Sequence, residues 1–147
     1  MSKKSSFHFS HLKKFLLKHE GLILILSFLL LLRIPNLFEP YWYGDEAIYL
    51  TVGNGLRHGL KLYAEIIDHK TPLIYYFAMA PSQFWFRMLT ISWMIATTIL
   101  FFNFTKALKF RIRSQYISTL LFVIFTSLPW LEGNIPNGEL FVMGFIM

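Results

Sequence analysis

Apolar and polar residues follow one another in long blocks along this chain rather than in a fine alternation. A basic leader containing serine and histidine, residues 1–19, runs into an uninterrupted apolar stretch from Gly21 to Leu32. Phe15-Leu16-Leu17 precede that stretch and Ile34 to Phe38 follow it. Since ~20 apolar residues cross the hydrocarbon core of a bilayer, the block predicts a first span at about residues 17–36. Lys18 and Arg33 are placed to snorkel to opposite interfaces, and Pro35 ends the helix. A basic start and short apolar core also fit a signal peptide, but Arg33-Ile34-Pro35-Asn36 stands where a small-x-small cleavage site would be needed.

After the span the pattern becomes mixed. From Asp45 to His58, Ile48, Val52 and Leu56 fall at i, i+4 and i+8, which predicts a short amphipathic helix with an acidic start and Gly59 as its stop. Thr71-Pro72 reads as the N-cap and first residue of another helix, 72–84. That segment falls short of the ~20 residues a span needs, so it is expected to lie in the interface. The next span is then 86–105. Lys106, Lys109, Arg111 and Arg113 form an inner basic loop over 106–115, and 116–131 returns outward. Residues 132–139 make an acidic, turn-rich outer loop, and a further span begins over 140–147. Basic residues collect on the cytoplasmic side, which puts the N-terminus inside and the long loop, 37–85, outside. The expected architecture is an all-α, multi-pass protein of the inner or plasma membrane. It has about three full spans and an outer loop carrying interfacial helices.

Composition supports the membrane assignment. Hydrophobic residues make up 55% and charged residues 15% of the 147, and mean hydropathy is +0.50, whereas soluble domains carry roughly 25% charged residues. A net charge of +6 would suit nucleic acid, but the cations lie in two clusters flanking apolar runs, so no nucleic-acid face is expected. There is no cysteine, which excludes disulfides and thiolate metal sites.

Chemistry-bearing side chains gather between the first two spans. Asp45 and Glu46 follow the aromatic run Tyr41-Trp42-Tyr43, where they fit either an acidic helix start favoured by the macrodipole or a carboxylate base at the membrane surface. Lys70 immediately precedes the Thr71-Pro72 helix start. It reads as a snorkelling lysine or, beside free helix amides at headgroup height, as a ligand for a lipid phosphate. Arg87 begins the next span as an interfacial anchor or a second phosphate cation. Glu132 and Glu139 are solvated loop charges or additional carboxylates. His69 has no second histidine at ligand spacing, and Asn103-Phe104-Thr105, a glycosylation sequon by pattern, falls on the inner face.

The order of these residues resembles a known family. Arg33-x-Pro35, Tyr43-Gly44-Asp45-Glu46-Ala47-x-Tyr49, Gly59, Tyr63, Asp68-His69-Lys70-Thr71-Pro72-Leu73-x-Tyr75 and Arg87 look like the family 39 type of membrane glycosyltransferases. These belong to the GT-C superfamily, with the protein O-mannosyltransferases and the aminoarabinose transferases of lipid A. The resemblance spans residues 30–140. It departs from the family at Thr71, where a first proline is commoner, and in a short stretch from Pro72 to Arg87.

The resemblance implies transfer of a sugar from a polyprenyl-phosphate carrier to an acceptor lipid, glycan or protein at the outer face. Asp45 would be the base, Glu46 its neighbour in the site, Lys70 the ligand of the carrier phosphate with Arg87, and Glu139 the second-loop acidic position. It fixes no cofactor and is compatible with a divalent metal. Family members carry many more spans, so the expectation is that these residues form the N-terminal portion of a polytopic bundle and are silent alone. The alternative is a non-catalytic small membrane protein or a remnant of such an enzyme.

Overall fold

The computed structural model describes residues 19–40 and 43–146. The leader, the start of the expected first span, Tyr41, Trp42 and Met147 lie outside the described residues. Among the described residues six helices follow in order: α1 (Glu20–Arg33), α2 (Gly44–Arg57), α3 (Pro72–Phe77), α4 (Gln83–Ala107), α5 (Ile112–Phe125) and α6 (Gly138–Ile146). Single 3-10 turns, Pro35–Phe38 and Pro129–Leu131, follow α1 and α5. There is no strand among the described residues, only an isolated bridge between Leu62 and Ile66.

The long helices bury narrow stripes and leave the rest of their apolar surface bare. In α1 the buried residues are Ile25, Leu29 and Arg33, spaced i, i+4, i+8, while Leu24 and Leu31 are more than two-thirds exposed. In α5 the stripe is Gln115, Thr119 and Val123, at the same spacing. The buried face of α4 carries Thr90, Thr97 and Thr98, whose hydroxyls each donate to the carbonyl four residues back. Such bonding satisfies a hydroxyl where no water reaches it. A helix apolar on every side needs an apolar medium around it, and lipid supplies one.

Two helical segments among the described residues are long and apolar enough to cross a membrane. These are Glu20–Phe38, with mean hydropathy 2.1, and Gln83–Ala107, with 1.5. They correspond to the expected spans 17–36 and 86–105. The expected third span, 116–131, is instead the 14-residue α5, which begins earlier and ends at Phe125. At 1.5 Å per residue it is about 21 Å long, less than the ~30 Å hydrocarbon core.

Two further expectations change. The interfacial helix expected over 72–84 stops at Phe77, and a non-helical stretch links it to α4. Pro81 accounts for the break, because proline lacks an N–H and pushes the residue before it out of the helical region. Arg33 does not snorkel. It is 1% exposed, and Nη2 donates to the carbonyls of Thr126, at the C-terminal end of α5, and of Gly133 at 2.6 Å. It ties the first helix to the loop that leads into α6, where the helix-end carbonyl and dipole favour a cation.

Two apolar clusters organise the interior. One lies within the bundle and joins Ile25, Leu29, Met94, Val123 and Leu140. The other joins the loop helices to α4 and α6 through Tyr49, Val52, Ile74, Tyr75, Ala78, Phe86 and Phe141. Gly53 is required in the second cluster, since a Cβ there would lie 2.2 Å from the Ala78 carbonyl oxygen. The close approach of α2 to the end of α3 brings the start of each helix toward the other.

Candidate functional site

Asp45 is the second residue of α2 and keeps its carboxylate partly exposed. Tyr49, one turn on and itself buried, donates from its hydroxyl to Asp45 Oδ2 at 3.1 Å. Lys70 precedes α3, and its ammonium Nζ lies 3.7 Å from Asp45 Oδ2. From the other side Glu139, second residue of α6, brings Oε1 to 3.8 Å from the same Nζ. Three segments far apart in sequence therefore meet on one cation. Asn137 fixes the third of them, its Oδ1 accepting the Leu140 N–H at the start of α6.

A cleft of about 460 Å³ opens beside this cluster. Its polar end is formed by Lys70, Glu139 and His69, and its walls by Ile74, Val142 and Met143. Apolar walls with a few convergent polar groups are the character of small-molecule sites.

Glu46 points elsewhere, because consecutive helix residues are turned about 100° apart. It is fully buried and bidentate to Arg87, with Nε to Oε1 at 2.7 Å and Nη2 to Oε2 at 2.6 Å. Gln83 adds a bond to Glu46 Oε2 at 3.2 Å. Arg87 Nη1 donates to the carbonyls of Asn36 and Glu39. Glu46 and Arg87 thus bind each other and the turn that follows α1. Of the five residues given roles by the family resemblance, the structure brings together Asp45, Lys70 and Glu139, and separately Glu46 and Arg87.

Tyrosines frame the cluster. Tyr43 donates to Glu132 Oε2 at 2.6 Å. That bond, with some burial and nearby carboxylates, pushes its phenol up to about 12. Burial first, and then the charge of Asp45, push the Tyr49 phenol up. Tyr75 is likewise pushed up, by burial and then by its 2.8 Å hydrogen bond to Asp68 Oδ2. Burial works to raise the Asp68 carboxyl, but bonds from Tyr75 and from the His69 amide, together with the His69 ring, outweigh it and leave Asp68 below its ordinary value. His69 Nδ1 sits 2.9 Å from Asp68 Oδ1 with its side chain 79% exposed. Among the described residues no group of three or more histidine and carboxylate side chains is arranged to hold a metal ion.

Sequence reasoning missed the partners of these groups. Tyr49 had a readable signal, since i+4 from Asp45 is the same helix face. The Glu46–Arg87 pair, 41 residues apart, had none. Comparison with protein-family models, with curated proteins and with solved structures finds no match for this chain.

Proposed function

We propose that this protein takes part in glycosyl transfer at the outer face of a membrane, from a polyprenyl-phosphate sugar to a lipid, glycan or protein acceptor. The observation that carries the reading is the meeting of Asp45 with Lys70 and Glu139, the latter two lining the polar end of an apolar-walled cleft. A lipid-linked donor has the matching form, an anionic phosphate on a long apolar chain.

In this reading the carrier phosphate meets the Lys70 ammonium and the chain lies along Ile74, Val142 and Met143. Asp45 removes the proton from the acceptor hydroxyl, whose oxygen then bonds to the anomeric carbon. The bond from that carbon to the phosphate oxygen breaks, and its electron pair leaves with the carrier phosphate, whose charge Lys70 offsets. Tyr49 orients the Asp45 carboxylate, and Glu139 holds Lys70 before the donor arrives. Glu46 and Arg87 act as a buried brace beneath Asp45. The sequence resemblance to the family 39 type supports the same reaction class, in an all-helical, multi-pass protein with its N-terminus inside.

One observation favours a non-catalytic membrane protein as the second reading: Lys70 already has two carboxylate neighbours within the chain. A transfer assay separates the two. Membranes containing the complete reading frame should move labelled sugar from a polyprenyl-phosphate donor to membrane acceptors above the level of membranes lacking it. Absence of transfer across the hexosyl and pentosyl donors tried contradicts the proposal.

A further inference from the structure

The Lys70 loop has little main-chain support. From Ile67 to Lys70 there is no backbone-to-backbone hydrogen bond among the described residues. Tyrosine hydroxyls replace it. The Lys70 N–H donates to Tyr75 Oη at 3.0 Å, and Tyr63 donates from its hydroxyl to the Lys70 carbonyl at 2.6 Å. Tyr75 is fully buried, packs edge-on against Tyr49 with ring centroids 6.1 Å apart, and donates its own proton to Asp68. Tyr63 is itself set by a left-handed backbone, φ 64°, and by its N–H donating to the Ile66 carbonyl at 2.8 Å.

Both polar groups of one peptide residue are therefore held by side chains from either flank of the loop. The Tyr75 bonds are part-buried and the Tyr63 bond is exposed, so Tyr75 is the firmer half of the clamp. Polar networks fix one geometry when each member is satisfied. Tyr75 meets this condition, accepting from Lys70 and donating to Asp68. The ring of Tyr75 also touches that of Tyr49, which holds Asp45. The lysine and the carboxylate are thus referred to the same pair of packed rings.

We propose that Tyr75 and Tyr63 are positioning residues that clamp the Lys70 peptide so that its ammonium stands between Asp45 and Glu139, with Asp68 orienting the Tyr75 hydroxyl. The consequence for donor binding rests on the glycosyl-transfer reading, but the clamp itself does not.

A test that needs no transfer is zero-length carbodiimide coupling of the purified chain, with the amide between Lys70 and Asp45 or Glu139 quantified by mass spectrometry. The parent should form these amides. Tyr75→Phe and Tyr63→Phe each remove one hydroxyl and leave the ring in place. Tyr63→Phe should lower the yield about fivefold, the effect of losing one net hydrogen bond, and Tyr75→Phe by more, because its hydroxyl makes two. Tyr76→Phe, at a half-exposed tyrosine with no hydrogen bond to Lys70, should leave it unchanged. Asp68→Asn keeps an oxygen to accept the Tyr75 hydroxyl and should retain most of the yield, whereas Asp68→Leu should not. Thermal unfolding of each variant separates loss of the clamp from loss of fold, because a merely structural tyrosine would lower the midpoint without changing coupling in the folded fraction. Parent-level coupling in Tyr75→Phe, or no coupling in the parent, overturns the clamp. A coupling pattern as expected in a protein that transfers no sugar would overturn the glycosyl-transfer reading alone.

Discussion

The guanidinium of Arg87 grips the carboxylate of Glu46 through two hydrogen bonds of 2.7 and 2.6 Å, with both side chains sealed from solvent. Removing one member leaves the other charged and buried, which costs roughly 3–5 kcal/mol. Glu46→Gln and Arg87→Met should each destabilise the detergent-solubilised protein by about that much. The double change Glu46→Leu with Arg87→Met should recover most of the loss, because an apolar pair leaves no orphaned charge. Thermal unfolding of the three variants checks this, and a double variant less stable than either single would contradict it.

Membrane orientation is open to direct labelling, since the chain contains no cysteine. Ala64 lies exposed in the loop between α2 and α3, and Lys106 lies exposed near the end of α4. At 25 residues α4 is about 37 Å long, enough to separate its two ends across the bilayer. An impermeant maleimide should label Ala64→Cys in intact cells and Lys106→Cys only after permeabilisation. The reverse pattern would invert the proposed orientation.

Much of the helical pattern was legible because apolar and polar segments differ so strongly in composition. The first and second long helices were placed within a few residues, and Gly59, with φ 88°, marks the end of α2 as its position suggested. The 72–84 segment is shorter than its apolar run suggests, because Pro81 lies inside that run and interrupts it. Arg33 is ambiguous for a different reason. Its position at the end of an apolar helix suits both an interface and a buried contact, and only the tertiary approach of Thr126 and Gly133 decides between them. The meeting of Lys70 with Glu139 likewise depends on how α6 folds back, which no local pattern encodes.

Titration should reveal two of the perturbed groups outside the candidate spans, Tyr43 and Asp68. The Tyr43 phenol is raised from 10.0 to about 12. Its contribution to stability is present below pH 10, and declines from there to about pH 12 as the unfolded chain loses a proton that the folded chain keeps. Asp68 is lowered from 3.8, so its contribution is present above that value and is lost as pH falls through its lower folded value. Unfolding midpoints measured against pH should show a weaker alkaline decline in Tyr43→Phe and a weaker acid decline in Asp68→Asn. Curves identical to the parent would contradict these assignments.

Lys70 should act through its charge. Lys70→Met, made in the complete reading frame, should raise the donor concentration needed for transfer at least about tenfold, the loss of a charge-assisted contact to phosphate. Lys70→Arg should keep part of the affinity, because the cation survives with a different geometry. Equal donor dependence in Lys70→Met and the parent would remove Lys70 from the phosphate site.

The most direct measurement is sugar transfer in membranes holding the parent, Asp45→Asn or Glu46→Gln at matched levels of folded protein. Asn at position 45 keeps an oxygen for the Tyr49 hydroxyl and remains suited to the first turn of a helix, so stability should change by under ~1 kcal/mol. It cannot accept a proton, and general base catalysis contributes ~100- to 10,000-fold. Asp45→Asn should therefore lose transfer by that factor while remaining folded. Glu46→Gln should lose yield through instability but retain transfer per folded molecule. Transfer at the parent rate by Asp45→Asn would contradict the account.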